Sequence, residues 1–322
     1  MDSENKRHTV EIIPRSGLKI DAIEKMRTVI ALGTFDGVHI AHRELLKSAI
    51  EQKKRISADL VGVWCFDEIP AAVLHGLPKT ALTSTKERIR LLMECGADFV
   101  ALGKFEELRN TEASDFVREI LTERLGCVAT VCGYNHRFGK MGLGSPELLE
   151  NIFGKDNAVT ISEIKILGQK VSSSAIREKL ILGETETASM MLGRPISLSS
   201  VVTQGKRLGR RLGFPTANQA FPEGFVPLKR GVYATLCTHD GKKYIGVTNV
   251  GIRPSISQND DHRLNSETYI IDFSDELYGQ NLTVEFCAYL REEKKFSSID
   301  ELSAAIEADK HAAIEFFKNQ KK

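Results

Sequence analysis

The sequence lacks several features that would assign it to a common class of protein. Its six cysteines include no CxxC pair and no spacing with histidine that is typical of a zinc site. No apolar run approaches the roughly 20 residues that span a bilayer, and the polar residues 1–14 lack the apolar core of a signal peptide. The net charge of +1 gives no overall reason to expect nucleic acid or a membrane surface as a partner. We therefore expect a cytoplasmic protein with reduced cysteines.

Length and composition predict an ordinary globular protein of two domains. At 322 residues the chain exceeds the usual size of one domain, and each part is long enough for its own core. Hydrophobic residues make up 42% and charged residues 27%, which is typical of globular proteins. The pattern of the sequence changes from Ile196 onward, and no long flexible linker precedes it. We place the boundary near residue 186 and predict packed domains at 1–185 and 186–322.

The first part of the chain alternates apolar strand patterns with amphipathic helix patterns. The predicted strands are Val29–Leu32, Asp59–Phe66, Ala97–Leu102, Cys127–Cys132 and Val159–Ile166. This alternation predicts a parallel α/β sheet with right-handed crossovers. In such sheets ligands bind at the carboxyl ends of the strands.

The second part has short alternating segments separated by turn residues. The predicted strands are Ser197–Thr203, Gly231–Thr238, Lys243–Val250, Glu267–Phe273 and Leu282–Leu290. Asp240-Gly241 is a strong signal for a hairpin turn between the second and the third of them. The spacing predicts a small antiparallel β-barrel, followed by an amphipathic helix over Ile299–Phe317.

The segment Gly33–His42, which reads GTFDGVHIAH, follows the first predicted strand. A buried strand, a glycine turn and a helix start form a natural anion site, because free backbone N–H groups and the helix dipole point at the ligand. His39 and His42 are three residues apart at this helix start and share a face, where they could contact phosphate oxygens. A solvated histidine pair at a helix start is the alternative.

Two more segments lie at the ends of predicted strands. Gly133–Gly139 is a loop bordered by glycines that either binds a ligand or closes the sheet. Val171–Arg177 begins a helix with consecutive hydroxyl residues, among them Ser173 and Ser174. Such hydroxyls can cap a helix or bind phosphate.

The second chemical segment of the chain is Gly205–Asn218. Its basic residues are Lys206, Arg207, Arg210 and Arg211. Glycines combined with basic residues suit a loop that wraps a polyphosphate, although an exposed turn or an RNA contact is the alternative. The pattern GxxxxGK[ST] is absent, so this is not a P-loop.

The first three segments resemble those of the HxGH-type nucleotidylyltransferase superfamily in its FAD synthetase form. The resemblance implies a Rossmann-like domain that transfers AMP from ATP to FMN, with His39 and His42 stabilising charge on the phosphates. By the same resemblance, the residues that bind ATP and its phosphates are Gly33, Asp36, Asn135, Ser173, Ser174 and Arg177.

The later segments resemble the riboflavin kinase family in an ordered series of motifs. They are Gly213–Asn218, Asn249–Pro254, Ser266–Thr268, Asp272–Gly279 and Leu290–Phe296. The resemblance implies that Thr216 and Asn218 place Mg²⁺ and ATP phosphates and that Glu267 is the base. It further assigns phosphate contacts to Gly205, Lys206, Arg207 and Arg210, and flavin contacts to Arg291 and Glu293.

The whole chain thus resembles a bifunctional riboflavin kinase/FAD synthetase. Its expected small-molecule partners are riboflavin, FMN and ATP, with FMN and FAD as substrate and product rather than redox cofactors. The adenylyltransferase half departs from the family pattern at three residues, since Ala41 replaces a glycine, Ile69 a histidine and His136 a phenylalanine. In the kinase half, Tyr269 replaces a common histidine. Two alternatives stay open: a riboflavin kinase with a weak or inactive adenylyltransferase domain, and a flavin-binding regulatory protein without turnover.

Overall fold

A computed structural model describes residues 10–69, 80–205, 213–252 and 264–320. The chain forms two compact units, Met1–Ser173 and Ser174–Lys322. The assignment of residues 1–185 and 186–322 to two separate activities stays a prediction. Within the described ranges, no helix combines the length and the apolar character needed to cross a membrane.

The first unit contains a six-stranded sheet with the strand order β1-β4-β3-β2-β5-β6. The strands are β1 (Val10–Pro14), β2 (Thr28–Leu32), β3 (Leu60–Phe66), β4 (Phe99–Gly103), β5 (Cys127–Gly133) and β6 (Ala158–Ile161). All neighbours are parallel except β1, which pairs antiparallel with β4. The predicted parallel α/β sheet is therefore confirmed, and β1 is an edge strand that the sequence patterns did not indicate.

Helices cover both faces of this sheet, which is why its strands read as continuous apolar runs. The helices are α1 (Ile20–Ile23), α2 (Ile40–Arg55), α3 (Thr85–Glu94), α4 (Phe105–Leu108), α5 (Ala113–Asp115, continued by a π-helical stretch at Phe116–Arg124) and α6 (Pro146–Phe153). In β2, Ile30 and Leu32 pack into one hydrophobic cluster, whereas Val29 and Ala31 pack into the other. This two-sided burial fixes β2 at the centre of the sheet and directs its carboxyl end to the predicted anion site.

The prediction of one strand over Val159–Ile166 is wrong. Strand β6 ends at Ile161, and two short strands, β7 (Lys165–Ile166) and β8 (Gln169–Lys170), form a separate hairpin. The turn residues Leu167 and Gly168 both have positive φ, 49° and 75°. This is the backbone geometry that a two-residue hairpin requires, and it reverses the chain where the apolar pattern alone suggested a continuous strand.

The second unit is a curled antiparallel sheet with the strand order β10-β13-β12-β11-β14-β9. The strands are β9 (Ile196–Val201), β10 (Thr216–Ala220), β11 (Gly231–His239), β12 (Lys242–Ile252), β13 (Leu264–Ile270) and β14 (Asn281–Arg291). A bridge between Thr203 and Asn218 joins the chain after β9 to β10. It brings the two edges of the sheet together, as the predicted barrel requires.

Within the part of the chain that the structure describes, three helices accompany the second sheet. They are α7 (Ser173–Leu182), α8 (Thr185–Leu192) and α9 (Ile299–Asn319). The C-terminal helix and the hairpin at Asp240-Gly241 are confirmed. Strand β10 was not predicted, because its sequence TANQA has no apolar alternation and was interpreted as part of a loop.

Candidate active sites

The first candidate site is the turn between β2 and α2. Phe35 is left-handed, with φ 52° and ψ 19°, and Gly37 has φ 79°. These two positions fold the chain back after β2, so that a short 3₁₀ turn at Asp36–Val38 leads into the helix. His39 is the N-cap of α2, and its Nδ1 accepts a hydrogen bond of 3.3 Å from the backbone N–H of His42. The sequence thus places both predicted histidines at a helix start.

The two histidines form a stacked pair. Their ring centroids are 3.5 Å apart with an interplanar angle of 13°, and the ring of Phe35 lies 4.9 Å from that of His42. His39 is 4% and His42 is 8% exposed, so the alternative of a solvated pair is wrong. The Nδ1 atom of His42 is buried without a hydrogen-bond partner.

This packing makes His42 a weak base in the free protein. Burial, followed by the nearby His39 and Arg88, holds the pKa of His42 well below its ordinary value. Two imidazoles stacked this closely cannot easily both carry charge. An arriving phosphate reverses this balance, because a negative charge within hydrogen-bonding distance favours the imidazolium form. The pair can therefore respond to a polyphosphate.

Two other predicted residues meet at this turn. The buried carboxylate of Asp36 accepts backbone N–H groups from Leu82, at 3.0 and 3.2 Å, and from Thr83, at 3.3 Å. The carbonyl of Asp36 accepts a 2.9 Å hydrogen bond from the hydroxyl of Ser173. The side chain of Asp36 thus holds neighbouring backbone, and any contact with phosphate would come from its main chain.

The remaining predicted residues of the first site lie on two other elements. Asn135 is exposed in the turn after β5, and β5 runs parallel to β2, so that Cys132 pairs with Leu32 and the turn shares the carboxyl edge with Gly33. Ser174 and Arg177 lie on α7 within the second unit. His136 stacks on Phe138 at 5.8 Å and 23°, in the position where the family has phenylalanine.

The second candidate site lies across three strands of the curled sheet. Asn218 of β10 is directly opposite Glu267 of β13, which is in turn opposite Asn249 of β12. Residues directly opposite in an antiparallel pair share one face of the sheet with Cβ atoms about 5 Å apart. Asn265 donates to Oδ1 of Asn218 at 3.4 Å on the same face. The carboxylate predicted as the base is therefore adjacent to the predicted phosphate-binding amide.

A cavity of about 240 Å³ opens beside this row of polar residues. Gly205, Thr216 and Asn218 line it together with Thr268 and with the segment 273–278. Gly205 lies so close to Asn218 that a Cβ atom on it would come within 2.5 Å of the amide nitrogen. Three residues predicted to bind phosphate from separate positions in the sequence thus meet at one cavity. Lys206, Arg207 and Arg210, which were predicted to contact phosphate, lie outside the described residues. In the first unit, the described residues stop at Ile69, so Pro70 also lies outside them.

The residues predicted to contact flavin each have a protein partner. The guanidinium of Arg291 forms two hydrogen bonds with the carboxylate of Asp309 on α9, at 2.8 and 2.7 Å. Glu293 accepts two hydrogen bonds from Arg230, at 2.9 and 2.6 Å, and a longer one of 3.4 Å from Asn249. Their roles toward flavin stay predictions, and the direct contacts indicate that Arg291 also holds the C-terminal helix.

Sequence analysis missed a chain of buried hydroxyl groups beside the second site. Thr248 forms hydrogen bonds of 2.9 Å with both Thr235 and Thr268, and Thr268 lines the cavity. Threonine is common in strands, so no single position stood out. The register of β11, β12 and β13 reveals the network, and sequence alone does not give that register.

Oxygen atoms of Thr216 and Asn218 suit the Mg²⁺ ion that the family implies. Mg²⁺ prefers oxygen ligands and commonly takes only one or two from the protein, with phosphates and water completing its shell. The cavity offers one hydroxyl and one amide oxygen from β10. Within the described residues there is no group of three or more His, Cys, Asp or Glu side chains that could hold a metal. The hydroxyl and amide oxygens present therefore fit a Mg²⁺ ion whose remaining ligands are phosphate and water.

Two known families divide the chain between them. The family described as FAD synthetase matches residues 21–175, and the family described as riboflavin kinase matches residues 192–317. Fold and sites together define a two-domain phosphotransfer enzyme, in which an α/β nucleotidylyltransferase precedes a β-barrel kinase. The chain belongs to the bifunctional riboflavin kinase/FMN adenylyltransferase family. The presence of both catalytic domains supports the prediction of two activities over either alternative.

Individual relatives are similar over nearly their full length. The bifunctional riboflavin kinase/FMN adenylyltransferase of Bacillus subtilis (strain 168) is 31% identical over 305 residues, which cover 93% of this chain and 95% of the relative. The protein of the same name from Escherichia coli (strain K12) is 33% identical over 295 residues, with 90% and 92% covered. A solved structure described as a macrolide-efflux protein from Streptococcus pneumoniae has a TM-score of 0.81 at 25% identity, covering 89% of this chain and 93% of that one.

Proposed function

We propose that this protein converts riboflavin to FMN at the site of the second unit and FMN to FAD at the site of the first. The observation that supports this most directly is the register that pairs Glu267 with Asn218, a residue that lines the cavity. A carboxylate next to a phosphate-binding group is what the phosphorylation of an alcohol requires. The buried histidine pair at the start of α2 provides the corresponding feature for adenylyl transfer.

In the kinase reaction, the terminal hydroxyl of the ribityl chain attacks the γ-phosphorus of ATP. The new O–P bond forms as the bond to the β-phosphate oxygen breaks, and ADP leaves. Glu267 accepts the proton of the hydroxyl, while Thr216 and Asn218 hold the phosphates in line with it. Mg²⁺, when bound through these two residues, neutralises phosphate charge. Glu267 is exposed in the described structure, so substrate can reach it directly.

In the adenylyl transfer, the FMN phosphate attacks the α-phosphorus of a second ATP and pyrophosphate leaves. His39 and His42 gain basicity as the triphosphate arrives and donate hydrogen bonds to the charge that develops on its oxygens. The transfer is direct, since the described part of the turn offers neither a Ser nor a Cys beside a base that could form a covalent intermediate. Asn135, Ser174 and Arg177 contribute to nucleotide binding in this proposal.

A product assay on three proteins tests both halves. Wild type given riboflavin, ATP and Mg²⁺ should produce FMN and FAD. Glu267→Gln keeps the size of the side chain but removes the base, and should abolish FMN formation while FMN supplied directly is still adenylylated. His42→Ala should show the opposite loss. FAD formation at the wild-type rate by His42→Ala, or FMN formation by Glu267→Gln, would overturn the corresponding assignment.

A further inference from the structure

Arg88 on α3 is a buried cation whose environment is unusual for an arginine. It is 4% exposed. Within the described part of the chain, its guanidinium donates to main-chain carbonyls and not to a carboxylate. Its Nε atom is buried without a hydrogen-bond partner. A buried charge and an unused donor both reduce stability, so their presence beside a catalytic site calls for a functional reason.

The carbonyls that Arg88 binds belong to two different loops. Nη1 donates to the carbonyl of Thr34 at 3.2 Å, in the turn after β2. Nη2 donates to the carbonyls of Phe66 at 2.7 Å and Asp67 at 3.2 Å, at the end of β3. One rigid, planar group thus sets the distance between two neighbouring loops at the carboxyl edge of the sheet. Only the fork of an arginine can make these three contacts together.

A reciprocal contact runs from the histidine turn back toward α3. The carboxylate of Asp36 accepts the N–H groups of Leu82 and Thr83, just before the helix. The N–H of Gly37 donates to the hydroxyl of Thr83 at 3.2 Å. Two sets of contacts therefore join the histidine turn to the beginning of α3. Arg88 reaches from the helix to the turn, and Asp36 reaches from the turn to the residues before the helix.

Arg88 also places a positive charge near the histidine pair. The groups that act on His42 are its stacked neighbour His39, the ring of Phe35 and the guanidinium of Arg88. Cys65 and Asp67 lie on the β3 side, where they interact with the same arginine. The positive charge disfavours a second cation at His42 until a polyphosphate brings negative charge. The free site is thus charged in advance for an anion.

We propose that Arg88 is a positioning residue for adenylyl transfer, which holds the histidine turn against the loop after β3 and supplies a fixed positive charge near His42. The inference depends on the proposed role of the histidine pair. It does not require Arg88 to touch the nucleotide.

The test compares three full-length variants with wild type. Arg88→Gln removes the charge and the fork, and Arg88→Lys keeps the charge but not the fork. Arg90→Gln is the matched control, because Arg90 lies on the same helix, is exposed and pairs with Glu87 and Glu94. For each, we measure kcat and KM for FMN adenylylation and its pH profile. Riboflavin phosphorylation is an internal measure of the second unit, and urea denaturation followed by circular dichroism measures folding of the whole chain.

We expect Arg88→Gln to lower kcat for adenylylation on the order of 100-fold, since small displacements of catalytic groups have effects of this size. Phosphorylation should stay at the wild-type rate. Arg88→Lys should lose roughly 10-fold, because one ammonium cannot span three carbonyls, and Arg90→Gln should match wild type.

The titration of His42 distinguishes positioning from a merely structural role. Loss of a neighbouring cation raises the pKa of an imidazole. The basic limb of the pH profile, where His42 loses its proton, and the NMR titration of the His42 ring should therefore move to higher pH in Arg88→Gln and stay in place in Arg88→Lys. If Arg88→Gln does not fold, the 10-fold loss and the unchanged titration of Arg88→Lys still test the proposal.

Wild-type adenylylation by Arg88→Gln or Arg88→Lys would overturn the inference, as would an unmoved His42 titration in Arg88→Gln. Failure of the underlying function is recognised separately. If His42→Ala forms FAD at the wild-type rate, the histidine role itself is wrong. If His42→Ala is inactive and Arg88→Gln is active, only the inference about Arg88 fails.

Discussion

His136 illustrates how one residue can retain an aromatic contact with different chemistry. The imidazole stacks on Phe138, and burial, followed by Arg137, lowers the pKa of His136 to about 4. At neutral pH the ring is therefore uncharged and packs much as the phenylalanine of the family does. The departure at this position preserves the aromatic pair, which agrees with the presence of an adenylyltransferase domain.

The lowered pKa has a consequence for stability in acid. In the unfolded chain His136 binds a proton as the pH falls below the ordinary histidine pKa of about 6.5. In the folded protein His136 stays neutral until the pH approaches 4. The free energy of unfolding therefore decreases as the pH falls from 7 to 4. We expect His136→Phe to lose about 1 to 2 kcal/mol less than wild type between pH 7 and pH 5, as measured by urea denaturation. His311→Phe, at an exposed position, is the control variant and should lose as much stability as wild type. Equal losses in wild type and His136→Phe would contradict the prediction.

Gly205 is a second position where one atom has a large effect. A methyl group there would come within 2.5 Å of the side chain of Asn218, and Asn218 is buried and cannot move away freely. We expect Gly205→Ala to raise KM for ATP in riboflavin phosphorylation about 10-fold, which corresponds to the lower end of overpacking costs. FMN adenylylation in the same molecule serves as the control. An unchanged KM for ATP would show that Asn218 does not help to hold the nucleotide.

The sequence identified residues within contiguous motifs more readily than residues that act through long-range contacts. His39, His42 and Glu267 lie in short patterns whose chemistry can be interpreted locally. Arg88 looked like one more charged residue on an amphipathic helix, because its significance depends on carbonyls that lie at Thr34 and Phe66. No spacing rule connects such positions, so they become visible only in the folded chain.

An ion pair with a buried carboxylate adds to the apolar packing that holds the C-terminal helix α9 on the barrel. Asp309 is 6% exposed and receives both hydrogen bonds from Arg291 of β14. Removing one member of a buried pair leaves the other uncompensated, which commonly costs 3–5 kcal/mol. We expect Asp309→Ala to lower the free energy of unfolding of the second unit by about 3 kcal/mol.

The neighbouring surface pair on the same helix is the control for this prediction. Lys310 and Glu307 are 2.9 Å apart but partly exposed, so Lys310→Ala should change stability by less than about 1 kcal/mol. Urea denaturation, with kinase activity as the readout of the folded second unit, measures the stability of both variants. Similar effects of the two substitutions would mean that the Arg291–Asp309 pair does not anchor the helix.

At the scale of elements, the periodicity of apolar residues predicted the helices and the buried central strands better than the edge strands and short hairpins. The central strands β2 to β5 are long apolar runs, and their identity follows from burial on both faces. The polar residues Thr216 and Asn218 of strand β10 line the cavity, and the strand is held in the sheet by pairing with β13. The hairpin of β7 and β8 depends on a left-handed leucine at position 167, a conformation that side-chain type does not predict.

At the scale of the whole molecule, His39 and His42 lie in the first unit and Glu267 lies in the second, and we propose that they serve separate sites. We therefore expect a mixture of Glu267→Gln and His42→Ala proteins to make FAD from riboflavin, since FMN released by one can be used by the other. Chromatography of flavin products over time measures this, and each variant alone serves as the control. A mixture that accumulates FMN without FAD, although each protein retains its own activity, would contradict separate sites.

The strand at Val10–Pro14 sets a limit on how far the chain can be shortened from its beginning. It covers the backbone of β4 from Val10 opposite Gly103 to Pro14 opposite Phe99. A protein starting at residue 15 would leave this row of amides and carbonyls open, and a second molecule could add its own strand there. We expect that protein to scatter light increasingly with concentration, unlike one starting at residue 9. Equal scattering would mean that some other segment shields the edge of the sheet.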